Sequence, residues 1–231
     1  MQSFGKDYKA LVIGAHGTIG AALTAQLNAD PNCAHVATVS RATHPYFLLE
    51  SEAGIEQAAR ELNDKGPFAL IIDATGALTI DGHGPEKHLG ALNAERLARA
   101  FEVNAIGPAL IIKHFSPLLT KDRSIFAKLS ARVGSISDNH KGGWYGYRAA
   151  KAAVNMLLQT AAIELQRRRP ETILVALQPG TVQSPLSAPF SRGHDTVTPQ
   201  ESATGLLNAI DSLEVKPGAQ FIDYKGQPIP W

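Results

Sequence analysis

The chain has 231 residues, enough to bury a large core without disulfide or metal staples. Lys and Arg number 22 against 21 Asp and Glu, so the net charge is +1, which argues against a protein that grips nucleic acid through a basic surface. Cys33 is the single cysteine, which excludes an intrachain disulfide framework and makes a reducing, cytoplasmic setting the simpler expectation.

The first nine residues carry no apolar segment of the secretory type, and no apolar run approaches the roughly 18 residues of a membrane span. From Tyr8 onward, short apolar runs alternate with helix-like stretches. Tyr8–Ile13 reads as a strand and Thr18–Ala29 as a helix closed by Asp30-Pro31. His35–Val39 reads as a second strand and Tyr46–Leu49 as a short third. Ser51 is placed to cap a helix running to about Leu62. Phe68–Ile72 is an uninterrupted apolar run, the pattern of a strand buried on both faces. Asn93–Leu119 reads as helical, with a kink at Gly107-Pro108. Ser124–Leu129 is a fifth strand.

Trp144–Arg169 has the highest helix propensity of the chain, and Pro170 stops it. Thr172–Leu177 is a sixth strand, Pro199–Ser212 a helix and Ala219–Ile222 a seventh strand. Strand and helix alternation implies right-handed crossovers. The expected architecture is α/β: a doubly wound, mostly parallel, seven-stranded sheet with helices on both faces. No linker divides the chain, so residues 1–231 are expected to form one domain.

The first strand runs into Gly14-Ala15-His16-Gly17-Thr18-Ile19-Gly20 and then a helix. Glycines there permit a tight turn and close approach of a pyrophosphate to the helix N-terminus. The spacing is G-x-x-G-x-x-G and not G-x-G-x-x-G. The second strand ends in Ser40-Arg41. A ribose 2′-hydroxyl calls for a carboxylate at such a position, whereas Arg41 suits a 2′-phosphate. His16 adds a further donor, and NADP(H) is expected over NAD(H).

Tyr147 and Lys151 lie at i, i+4 on the strongest helix, one turn apart on one face. A phenol donates poorly near its ordinary pKa of about 10, and a nearby ammonium favours its ionised form.

In that order along the chain, these pieces resemble the short-chain dehydrogenase/reductase family, whose fold is the single-domain Rossmann type. The resemblance spans almost the whole chain: Gly14–Gly20, Asp73-Ala74-Thr75-Gly76, Val103-Asn104-Ala105, Tyr147 with Lys151, and Pro179-Gly180-Thr181-Val182. Gly82–Lys87, Arg132–Ile136, Gly142–Arg148 and the Phe221–Tyr224…Pro230-Trp231 ending are similar to a C-factor-like subgroup.

The resemblance implies hydride exchange between a nicotinamide and a small carbonyl or alcohol substrate. Tyr147 is then the general acid and base. Lys151 holds the nicotinamide ribose and lowers the Tyr147 pKa, and Asn104 anchors a proton relay. Gly14, His16, Gly17, Thr18, Ile19, Ser40, Arg41, Ala74, Thr75, Gly76, Tyr147, Lys151, Pro179, Gly180 and Val182 form the implied cofactor contacts. Residues 183–196 form the implied substrate loop, with Leu186 and Phe190 as apolar wall. A homodimer or homotetramer is implied, with no nucleic acid or membrane partner.

The chain departs from the family pattern at one position that matters. Aligned on Gly134, the substrate-binding serine of the family falls on Ala131. Ser130 points the other way along the strand, so Ser135 becomes the candidate catalytic hydroxyl. Two rival readings remain. Ala131 and the C-factor resemblance motivate a cofactor-binding signalling protein with little turnover. The G-x-x-G-x-x-G spacing alone favours a nucleotide-sugar epimerase or dehydratase, disfavoured by the short tail after Pro179.

Overall fold

A computed structural model describes residues 1–185, 187–188 and 195–231. The elements in order are β1 (Tyr8–Ile13), α1 (Thr18–Ala29), β2 (Cys33–Val39), α2 (Glu52–Glu61), β3 (Leu70–Asp73) and α3 (Ala94–Phe101). They continue with α4 (Gly107–Phe115), β4 (Ser124–Leu129), α5 (Tyr145–Gln166), β5 (Thr172–Gln178), α6 (Pro199–Asp211) and β6 (Gln220–Asp223). Strands β2-β1-β3-β4-β5-β6 form one sheet in that order, and every pairing is parallel.

Alternation along the strands sorts the core into two layers. Leu11, Ile13, Ile71 and Phe126 face α2, α4 and α5, where they meet Ile55, Phe115 and Leu158. Val12, Ile72, Ala127 and Val175 face α1 and α6, where they meet Leu23, Leu27 and Leu206. Side chains of successive strand residues point to opposite faces, so uninterrupted apolar runs serve both layers. The helix starts are capped as their sequences require. Ser51 Oγ accepts from Gly54 N at 3.2 Å, and Thr198 with Glu201 closes a capping box ahead of Pro199.

The sheet has six strands where seven were expected. Tyr46–Leu49 is a turn: Phe47 N donates to the His44 carbonyl and Leu48 N to that of Tyr46. Phe47 is instead inserted into the core edge-on to Phe115, ring centroids 6.5 Å apart. Local bonds and one buried ring therefore outcompete the sheet for this segment. The expected kink of the 93–119 helix also shifts. A π-helical turn spans Glu102–Ile106, one turn before Gly107-Pro108. Pro108 has no N–H to return to the Asn104 carbonyl, so the strain is taken up on its N-terminal side.

Order reverses across β1, which lies between β2 and β3, so the crevice at their carboxyl ends is the topological switch point. The segments after β1, β3, β4 and β5 all emerge at that edge. Residues 183–196 are only partly within the described residues; Leu186 and Phe190 lie outside them. No helix among the described residues is long and apolar enough to cross a membrane.

Candidate active site

A cavity of about 480 Å³ opens at the carboxyl edge. It is lined by Ile19, Ala74–Leu78 and Pro179–Val182 together with Ser130–Val133, Lys141, Gly142, Trp144 and Arg148. Tyr147 and Lys151 line it as well. A smaller cavity of about 330 Å³ lies on the other side of Tyr147 and reaches Asn104 and Glu86.

The glycine turn is tight because its backbone leaves no room for side chains. A Cβ on Gly20 would lie 2.2 Å from the Gly14 carbonyl oxygen, and Gly14 itself has φ +84°. Gly17 precedes α1 with no side-chain cap. The first N–H groups of that helix therefore remain for a ligand, and the cradle suits a phosphate. Gly14 N binds the Val39 carbonyl at 2.8 Å, which sets Ser40 and Arg41 beside the turn. Arg41 and His16 are exposed. Ser40 is buried, with its hydroxyl 3.1 Å from that of Thr43. Gly14, His16, Gly17, Thr18, Ser40 and Arg41 form the open end of the crevice and do not line the 480 Å³ cavity.

Asn104 is fully buried in the π-helical turn. Its Oδ1 accepts from Ala77 N at 3.0 Å and its Nδ2 donates to the Ala77 carbonyl at 2.9 Å. This two-bond clamp fixes the segment after β3. A Cβ on Gly76 would sit 3.1 Å from Asn104 Oδ1 and 3.3 Å from Lys151 Nζ, so a bare glycine keeps that gap open.

Lys151 Nζ lies 5.5 Å from the centroid of the Tyr147 ring and donates to the Leu129 carbonyl at 3.2 Å. Burial pushes the Lys151 pKa down to about 7, Lys128 pushes the same way and Asp73 opposes. Burial raises the Tyr147 phenol to about 12. The lowering of the phenol expected from a neighbouring ammonium is not seen here, and burial alone sets the direction. A lysine with a pKa of about 7 carries only about half its charge at neutral pH, and it sits beside the ring face (not at the hydroxyl).

The three positions considered at the end of β4 separate clearly. Ala131 lines the cavity with no donor to offer. Ser130 lines it too, but its hydroxyl donates to Asn155 Oδ1 at 2.6 Å. Ser135 does not line it: its side chain is buried and its Oγ accepts from Asp138 N at 3.0 Å. The turn Arg132–Gly134 carries the backbone past the cavity before Ser135 is reached.

Two features have no counterpart in the sequence reading. Lys128 Nζ is 2.9 Å from Asp73 Oδ2 in a fully buried ion pair. Lys128 also donates to the Thr75 carbonyl at 2.8 Å, and Asp73 Oδ1 accepts from Thr75 N at 2.8 Å. The pair thus ties β3 to β4 under the cavity wall. The signal was a lone Lys inside a strand that is otherwise buried, because a buried cation requires a partner.

The second feature is Glu86, which is buried at the start of α5. Its carboxylate accepts from Gly146 N at 3.0 Å, and its carbonyl accepts from Trp144 N. Gly142, Gly143 and Trp144 have φ of +62°, +64° and +55°, a left-handed run that is costly for a tryptophan. Glu86 holds this turn and with it Tyr147. Glu86→Ala is expected to lower stability by about 1.5–3 kcal/mol, the range for a hydrogen bond to a charged group. Glu86→Gln is expected to recover part of that in thermal unfolding, because an amide oxygen still accepts from Gly146.

The family model described as enoyl-(acyl carrier protein) reductase matches residues 49–221. The C-signal protein of Myxococcus xanthus is 35% identical over 169 residues, covering 72% of this chain and 94% of that one. The 1-hydroxy-2-glutathionyl-2-methyl-3-butene dehydrogenase of Rhodococcus sp. (strain AD45) is 29% identical over 199 residues, covering 86% of this chain and 84% of that one. Among solved structures, the NADPH-bound carbonyl reductase from chicken fatty liver superposes with a TM-score of 0.84 at 22% identity, covering 98% of this chain and 95% of that one. A parallel sheet in this order, a glycine turn after its first strand and a Tyr147/Lys151 pair facing one crevice agree with these matches: the chain belongs to the short-chain dehydrogenase/reductase family of enzymes.

Proposed function

We propose that the protein is an NADP(H)-dependent oxidoreductase that interconverts a small carbonyl compound and its alcohol. The observation that carries this reading is that Tyr147 and Lys151 line one cavity together with the segments Ala74–Leu78 and Pro179–Val182 that follow β3 and β5. The residues present fit the cofactor: a glycine cradle at Gly14, Gly17 and Gly20, an exposed Arg41 beside it, and Pro179–Val182 lining one cavity with Ala74–Leu78. When bound, the cofactor supplies or accepts the hydride.

The chain's own part is acid–base and positional. Tyr147 Oη forms no hydrogen bond to a described residue, so it remains for the substrate oxygen, to which it gives the proton during reduction. Lys151 favours the phenolate left behind while it is charged. Asn104 holds Ala77 and so the wall against which the reacting groups are placed. Residues 1–231 act as one domain in this reading, with 183–196 closing over the substrate. The reading includes a homodimer or homotetramer, supported by Met156, Leu157 and Ile163, which α5 leaves exposed.

NADPH oxidation against a panel of ketones, aldehydes and quinones tests the reading. A second reading, cofactor binding with little turnover, is favoured by the absence of a free hydroxyl at Ala131. Tight NADPH binding with no turnover on any panel member would select it. For the cofactor, Arg41→Ala is expected to weaken NADPH binding about 10- to 100-fold by titration, with NADH changed far less. Equal losses would remove Arg41 from the 2′-phosphate site.

A further inference from the structure

The charge lining the 480 Å³ cavity is of one sign. Arg132, Lys141, Arg148 and Lys151 line it, and no Asp or Glu among the described residues does. Lys151 belongs with Tyr147. The other three cations line it together with Val133, Gly142 and Trp144.

These three differ in how they are compensated. Arg132 is neutralised from behind: Asp138 and Asp223 each lie 3.4 Å from its guanidinium. Lys141 and Arg148 have no carboxylate within 4.0 Å among the described residues. Arg148 is nonetheless held in place. Its Nε donates to the Gly143 carbonyl at 2.9 Å and its Nη1 to the Val133 carbonyl at 3.4 Å. Two carbonyls fix the guanidinium without cancelling its charge. Burial pushes its pKa down and Asp138 opposes only in part, so the charge is held at a cost. Nη2 carries no bond to a described protein group and remains for a ligand.

A fixed, half-buried, uncompensated guanidinium in a cavity with apolar neighbours gains most from an anion, through charge-assisted hydrogen bonds. The cofactor phosphates have their own cradle at the far end of the crevice, at the start of α1. We infer that the substrate carries an anionic group, a carboxylate, which Arg148 binds with Lys141 while the carbonyl faces Tyr147. The inference rests on the oxidoreductase reading for what happens to the carbonyl, but not for the binding of the anion.

The test uses the full chain with NADP(H) and a matched pair of probes, 4-carboxybenzaldehyde and methyl 4-formylbenzoate. The acid is expected to be reduced with a kcat/KM about tenfold or more above that of the ester, one charge-assisted contact being worth that factor. Arg148→Met with Lys141→Met is expected to bring the ratio to about one. Lys141→Glu, at an exposed position, is expected to turn the preference towards the ester. A ratio near one in the unaltered protein overturns the inference, as does a ratio that survives the double substitution. So does a tenfold loss of NADPH affinity in the double variant with the ratio intact, which would assign the cations to the cofactor.

Calorimetric titration of both probes into the NADP⁺-loaded protein separates this from the chemistry. If neither probe is reduced but the acid binds about tenfold tighter, and loses that advantage in the double variant, the anion site stands and the reductase reading falls. If both are reduced alike and bind alike, the reductase reading stands and the anion site falls. Equal or undetectable binding with no reduction overturns both.

Discussion

Tyr147→Phe will lower kcat for carbonyl reduction by about 10²–10⁴-fold while leaving NADPH affinity near that of the unaltered protein. Phenylalanine keeps the ring that meets Trp144 edge-on at 6.1 Å and removes only the hydroxyl. The loss therefore reports proton transfer and not packing. Stopped-flow and steady-state NADPH oxidation, with fluorescence titration of the cofactor, measure the two quantities separately. An activity that survives the substitution would remove Tyr147 from the mechanism. The pH profile carries the sign of Lys151. Its pKa of about 7 means that the ammonium is lost as pH rises through neutrality. The kcat/KM for reduction should fall over that range, and Lys151→Met should flatten the fall along with lowering the rate.

Asp73→Ala will destabilise the fold by about 3–5 kcal/mol, the cost of leaving a buried charge without its partner. For a chain of this length that is a fall in Tm on the order of 10 °C. Lys128 would be left fully buried beside Thr75 with no anion to face. Asp73→Asn with Lys128→Met should recover most of the loss. The asparagine still accepts from Thr75 N, and an apolar chain replaces the ammonium in the strand. Chemical denaturation of the single and double variants measures the difference. A loss below about 1 kcal/mol for Asp73→Ala would show that Lys128 sheds its proton instead of staying charged.

Most of the fold was legible because strand and helix periods alternate without interruption from Tyr8 to Phe221. The absent third strand was not. Tyr46–Leu49 carries strand-forming residues, but whether they pair depends on Phe47 finding Phe115, a contact 68 positions away in the chain. The pairing of Tyr147 with Lys151 was legible because spacing on a helix fixes which side chains share a face, whereas Asn104 was named only through the family resemblance. Ser135 was misplaced for the converse reason. It follows a turn, Arg132–Gly134, where no period predicts direction. Glu86 was hidden more deeply, since nothing local to residue 86 announces that it closes a helix beginning some 60 residues later.

The abrupt left-handed entry into α5 places Tyr147 third in its helix. There the peptide dipoles of 22 residues present their positive end, and the Glu86 carboxylate takes up the N–H of Gly146, the residue before Tyr147. A carboxylate is the favourable charge at a helix start, so the contact that holds the turn also offsets the dipole next to the reacting tyrosine. Loss of Glu86 would therefore loosen the turn and uncover the dipole together.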